Sequence, residues 1–158
     1  MRGELPMQSP VVFPILIDNA EAYALCVERG FEPLIDERFT LPINLRVDIQ
    51  RRVFGHVTHG RGNIPQANER FYRWVWEHKP HICEETMRPL REYSSVYCSH
   101  ILSRGAHPEM AHDPRNINLL CPEMHAKWEN GNKRSMRIWA KNKKTIEKLK
   151  AEYDSYED

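Results

Sequence analysis

The chain has 158 residues, of which 41% are hydrophobic and 28% charged, with four cysteines and a formal net charge of +1. That length suits one ordinary domain with a buried core, and the balance is that of a globular protein rather than a disordered or fibrous one. No apolar run approaches the roughly eighteen residues of a membrane span, the start lacks a signal-peptide pattern, and cysteines at 26, 83, 98 and 121 form no secreted disulfide framework, so a cytoplasmic location without membrane contact is expected.

Residues 1–10 hold two prolines and read as a loose lead-in. Val11 to Ile17 reads as a strand or an apolar arm, with Pro14 at an edge position. Asp18 or Asn19 suits the cap of a helix from Ala20 to about Arg29, stopped by Gly30. Phe31 to Ile43 reads as extended or irregular. Leu45, Ile49 and Val53 recur every fourth residue, which leaves helix and strand both open, and Arg46, Arg51 and Arg52 read as a solvated face rather than a phosphate clamp. His56 and His59 lie in a glycine-flanked loop and read as solvated rather than metal-binding. Residues 1–62 are therefore an N-terminal extension to which no fold is assigned.

Asn63 to His78 is the clearest helix outside the central motif, with Pro65 in its first turn and a stripe through Phe71, Val75 and His78. Trp74 and Trp76 broaden its apolar face and read as core rather than as base-stacking platforms. Pro80 ends it, and His81 to Leu90 lead toward the motif.

Ser95 to Cys98 is a short apolar run that enters His100. A polar loop with Gly105, Pro108 and Pro114 follows and ends at Asp113-Pro114-Arg115-Asn116; a second apolar run spans Ile117 to Leu120. After Pro122 a helical pattern carries His125 and Glu129 on one face, four residues apart. Gly131 suits that helix's end, and Ser135 is expected to cap a last helix to about Tyr153, along which Asn142, Ile146, Leu149 and Tyr153 recur. Lys133 to Lys150 hold eight basic residues against Glu147 alone, while the last eight residues hold four acids and no base, so the near-neutral total conceals a basic segment behind the motif.

The order strand–His100–loop–Asn116–strand–helix–His125, with intervals of sixteen and nine residues, resembles the HNH, or ββα-metal, nuclease family. The words Ser-His-Ile-Leu-Ser-Arg-Gly-Ala-His-Pro-Glu-Met and Asp-Pro-Arg-Asn are most similar to phage recombination nucleases of the NinG type. The resemblance covers about a third of the chain. It implies an α+β fold with a ββα-metal core; with the preceding helix this core spans residues 63–134, between the extension 1–62 and the basic helix with an acidic tail read over 135–158. It also implies a divalent-metal-dependent endonuclease hydrolysing DNA phosphodiester bonds in phage recombination or defence. Its general base would be His100, and Asn116 would tie the loop to backbone and hold that base in place. His125 and Glu129 would bind one divalent ion, magnesium or manganese before zinc or nickel. Arg104 and Arg115 would neutralise phosphate, because a guanidinium binds two oxygens at once.

The chain departs from that family in two respects. Ser99 stands where most members carry Asp or His as a second metal ligand, and a hydroxyl is a poor ligand for a hard cation. Many members also brace the fold with zinc on two Cys-x-x-Cys pairs. Here Cys83-Glu84-Glu85-Thr86 and Cys121-Pro122-Glu123-Met124 keep one cysteine each, so no structural zinc is expected. His107 and His112, both in the loop, are read as substrate-side or solvated, with either a candidate to replace the missing ligand. Two other readings compete: a non-catalytic nucleic-acid-binding module that keeps the ββα shape, and a zinc-finger-like binder, for which the cysteines are too few.

Overall fold

A computed structural model describes residues 19–31, 42–55 and 64–156; the expected Val11–Ile17 strand, the Asn63 cap and the His56/His59 loop lie outside these residues. Among the described residues there are five α-helices and one two-stranded antiparallel sheet, an α+β arrangement. No helix among them is long and apolar enough to cross a membrane.

Helix α1 (Ala20–Glu28) begins where the Asn19 carboxamide oxygen accepts the N–H groups of Glu21 and Ala22 at 2.9 and 3.0 Å. It ends at Gly30, whose φ of +84° is left-handed and costs glycine little. Helix α2 (Ile43–Phe54) settles the segment in which helix and strand were both open. It buries two faces: Leu45, Ile49 and Phe54 enter the main core beside Leu25 and Phe71, while Val47 joins a second cluster with Leu149 and Tyr153. A helix buried on two sides has a blurred periodicity. Gly55 follows at φ +117°, and a Cβ there would lie 3.0 Å from the Ala67 Cβ, so α2 and the next helix meet closely.

Helix α3 (Ile64–His78) buries Ala67, Phe71 and Val75 along one stripe. Trp74 and Trp76 are only half-buried, packed against the core's edge, and Trp76 stacks on His81 with ring centroids 3.6 Å apart. After a 3₁₀ turn, β1 (Cys98–His100) pairs with β2 (Ile117–Leu119) in the register Cys98↔Leu119, Ser99↔Asn118, His100↔Ile117. Strand alternation puts Cys98 and His100 on one face and Ser99 on the other. Helix α4 (Pro122–Asn130) follows β2 with Pro122 in its first turn, and its Trp128 indole N–H donates to the Ile101 carbonyl at 3.3 Å.

The turn after α3 ties these pieces together. The Glu84 carboxylate accepts from Leu119 N–H, the Asn118 amide and the Lys79 ammonium at 2.8, 2.8 and 2.7 Å. Glu85 accepts the N–H groups of Arg137 and Ile138 at 2.8 and 3.0 Å, and so caps helix α5 (Trp139–Tyr153) from fifty-two residues away. The expected cap, Ser135, instead sits in a 3₁₀ turn and donates its hydroxyl to Asn132 O. The helix starts later because the carboxylate satisfies the free N–H groups there.

Arg46 is also not the solvated residue its sequence position suggested. It is 7% exposed, and its guanidinium donates to Asp113 at 3.1 Å and to Glu152 at 2.8 Å. Helix α2 is thus bound to the motif loop and to α5, and it shares one hydrophobic core with α3 and the sheet.

Candidate active site

The Cys98/His100 face of the sheet, α3, α4 and the loop 101–107 enclose an open cleft of about 700 Å³. Its walls bring together His100, Arg104, His107, His125 and Glu129 from the sequence analysis, with Tyr72 from α3 and Lys133 beyond α4.

His100 comes from the end of β1. Its Nε2 lies 2.8 Å from the Ala111 carbonyl, which can only accept, so Nε2 carries the proton and Nδ1 keeps the basic lone pair. The rings of Phe71 and Tyr72 stand 6.5 and 6.0 Å away. Burial lowers the His100 pKa to about 4, with the Arg104 and His125 charges pushing the same way and the Ala111 hydrogen bond opposing. The imidazole is therefore neutral throughout the neutral pH range. The value near 6.5 expected for a free histidine does not apply, because the ring is desolvated.

Asn116 is completely buried and closes the loop like a clasp. Its carboxamide oxygen accepts Leu102 N–H at 2.8 Å, and its amide donates to the carbonyls of Leu102 and Met110 at 2.9 and 3.2 Å. Met110 directly precedes Ala111, whose carbonyl holds His100. Asn116 thus sits one peptide unit away from the hydrogen bond that sets the tautomer of His100.

His125 and Glu129 face each other across one turn of α4. His125 Nδ1 donates to Val96 O at 2.6 Å, and Nε2 lies 3.0 Å from the Glu129 carboxylate. A neutral imidazole has a single N–H, yet both ring nitrogens face oxygen acceptors, so the Nε2–carboxylate contact calls for a shared cation, a proton or a metal ion. The donor set, an imidazole lone pair oriented by a carbonyl plus a carboxylate, fits a divalent ion that keeps several waters. Among the described residues no cluster of three or more His, Cys, Asp or Glu side chains is positioned for a metal. Ser99 cannot extend the pair: it is fully buried on the opposite face of β1, and its hydroxyl has no hydrogen-bond partner among the described residues.

Arg104 is exposed at the cleft and makes no ion pair among the described residues, so it is available to an anion. Arg115 does not share the cleft. Its guanidinium is 7% exposed and held by Asp113 at 2.9 Å and Glu152 at 2.8 Å, which corrects its reading as a phosphate ligand. His112 is likewise neither solvated nor substrate-side. It is 2% exposed, bonded to Asn68 at 2.9 Å and packed 4.8 Å from the Phe71 ring, because the loop folds back onto α3. Cys83 and Cys121 come into contact, with the Thr86 N–H 3.5 Å from the Cys83 sulfur. Thr86 and Met124 stand where a Cys-x-x-Cys pair would place its second cysteine, and neither supplies a thiolate.

Comparison with family models, with curated proteins and with solved structures gave no match.

Tyr72, Lys133 and the Ala111 carbonyl were not legible as site features. Tyr72 lies beside the apolar stripe of α3 and Lys133 within a basic run; only the folded loop brings them to His100.

The buried histidines predict acid lability. Burial lowers His112 to about 3, as it lowers His100 to about 4, against about 6.5 when free. Between those values the unfolded chain binds more protons, so stability is full above about pH 6.5 and declines as pH falls toward 4 and then 3. Urea unfolding at pH 7.5 and pH 4.5 should show a lower free energy at the acid value. Equal stabilities would mean that these rings are solvated in the folded protein.

Proposed function

We propose that this chain is a divalent-metal-dependent endonuclease of the HNH, ββα-metal type that hydrolyses DNA phosphodiester bonds. The observation that carries this reading is the His100 Nδ1 lone pair, neutral and oriented by Ala111, in the same cleft as the His125–Glu129 pair. Hydrolysis of a phosphodiester needs a proton taken from water, charge neutralised on the phosphate and a leaving oxygen stabilised. His100 takes the proton at Nδ1, with Nε2 anchored. His125 and Glu129 would hold the divalent ion, which when bound would supply Lewis-acid stabilisation of the developing negative charge. Arg104 neutralises a non-bridging oxygen, and Asn116 keeps the loop that positions His100. No structural zinc enters this reading, since Cys83 and Cys121 offer two thiolates where a brace needs four good ligands.

The non-catalytic reading draws its support from the two-residue metal pair and from Ser99 facing away. Incubating supercoiled plasmid with the protein and Mg²⁺ or Mn²⁺ decides between them. Nicking that stops with chelator supports the enzyme, and DNA binding without nicking supports the module. A cytoplasmic setting and a role in phage recombination or defence belong to this same proposal.

The basic face of α5 is assigned to affinity. Lys141, Lys143, Lys144, Lys148 and Lys150 are exposed, while Asn142, Leu149 and Tyr153 are buried. Lys143→Glu together with Lys144→Glu should weaken DNA binding and reduce the slope of log affinity against log salt, by about 0.9 for each phosphate that is no longer neutralised. Nicking at saturating DNA should stay within a few-fold of wild type. A collapse of the rate at saturation would instead place these lysines in the chemistry.

A further inference from the structure

Tyr72 belongs to α3, outside the strand–loop–strand–helix unit, yet its side chain lines the cleft with His100, Arg104 and Glu129. Its ring stands edge-on to His100 with centroids 6.0 Å apart at 67°, and it lies 6.0 Å from Phe71. The ring is therefore held by packing. Buried and half-buried tyrosines commonly give their hydroxyl a protein partner. Among the described residues the Tyr72 hydroxyl has none, while Tyr93 on the same side of α3 donates to Glu69 at 3.2 Å, Tyr153 is bonded to Asp113 at 2.9 Å and Gln50 donates to Tyr153 at 3.2 Å. A packed ring on a residue that lines the cleft, its O–H without a partner among the described residues, is a pre-set donor.

The groups around it indicate what that donor meets. Arg104 and Glu129 both act electrostatically on the phenol, which places it within range of both the phosphate-side cation and the metal-side carboxylate. Burial raises its pKa above the ordinary tyrosine value, so it stays protonated at neutral pH and acts as a donor rather than a base.

We propose that Tyr72 is a further substrate-contacting residue of this cleft, its phenolic O–H donating to a non-bridging oxygen of the bound phosphodiester. The assignment rests on the endonuclease reading above. A hydrogen bond to an anion that gains charge during attack is stronger in the transition state than in the ground state, so its loss lowers the rate more than the affinity.

The test is Tyr72→Phe, which keeps the ring against His100 and removes only the oxygen. Single-turnover nicking with Mg²⁺ is expected to slow about tenfold to a hundredfold, the range for losing a donor to a charged group. DNA affinity and the Mg²⁺ midpoint should change by less than about twofold on the same reasoning. With a single phosphorothioate at the cleaved bond, the Tyr72→Phe penalty should shrink for one sulfur diastereomer and persist for the other. A Tyr72→Phe rate equal to wild type, with His100→Ala inactive, overturns the proposal and leaves the endonuclease standing. Loss of DNA or metal affinity with the rate unchanged also overturns it, as does a penalty equal for both diastereomers. A wild type that does not nick removes the endonuclease reading, and this proposal with it.

Discussion

His100→Ala is expected to lower plasmid nicking by about a hundred- to ten-thousandfold, the usual cost of losing a general base. DNA affinity and divalent-ion binding should be nearly unchanged, because His125 and Glu129 lie on α4 and the basic face on α5. His100 is largely buried and holds the Ala111 carbonyl, so His100→Gln is the safer partner variant: its amide can still donate to that carbonyl but offers no basic nitrogen. Both variants should be inactive, and the glutamine variant should unfold at a temperature close to wild type. The wild-type rate should not depend on His100 titration above about pH 5, since burial places that group near 4. Any rise in rate through pH 6 to 7 would then come from another group. Unchanged cleavage by His100→Gln, with contaminating nuclease excluded, would sink the assignment of the base. His125→Ala should differ from both, by weakening metal binding and recovering part of its rate at high Mn²⁺.

The largest effect on stability is expected at Asp113, which is 1% exposed. Its carboxylate accepts from Arg46 at 3.1 Å, Arg115 at 2.9 Å and the Tyr153 hydroxyl at 2.9 Å, and its other oxygen caps Arg115 N–H at 3.0 Å. Asp113→Ala leaves two guanidiniums, 8% and 7% exposed, with Glu152 as their remaining carboxylate. Removing one partner of a buried ion pair costs about 3–5 kcal/mol, because the other charge remains desolvated. The exposed pair Arg73–Glu69, 61% and 45% exposed, is the control. Arg73→Ala should cost no more than about 1 kcal/mol. Urea unfolding of both variants checks the contrast, and an Asp113→Ala cost below about 1 kcal/mol would show the cluster to be well hydrated. Asp113 also opens the turn that delivers Asn116 to the loop, so its loss should reduce nicking together with stability.

Features set by neighbours in the chain were legible in the sequence. A cap at Asp18 or Asn19, of which the structure uses Asn19, and Gly30 after the run bounded α1, Phe71 and Val75 marked the buried stripe of α3, and the four-residue interval put His125 and Glu129 in contact on α4. The strand–loop–strand–helix order could be read for the same reason: each piece depends on periodicity, caps and turn residues within a few positions. Tertiary structure decided the fate of groups whose partners are far away in the chain. Arg46 and Arg115 looked like solvent or phosphate residues until Asp113 and Glu152, up to 106 residues away, took up their charges. Helix α2 became a helix with two buried faces because the core lies on one side and α5 on the other, which a single periodicity does not encode. His112 was drawn inward by Asn68 and Phe71, and the cap of α5 was supplied by Glu85 rather than by Ser135. The resemblance to the HNH nucleases suggested His100 as a base; the Ala111 carbonyl, the aromatic rings of α3 and the desolvation they cause are what decide its tautomer and its charge.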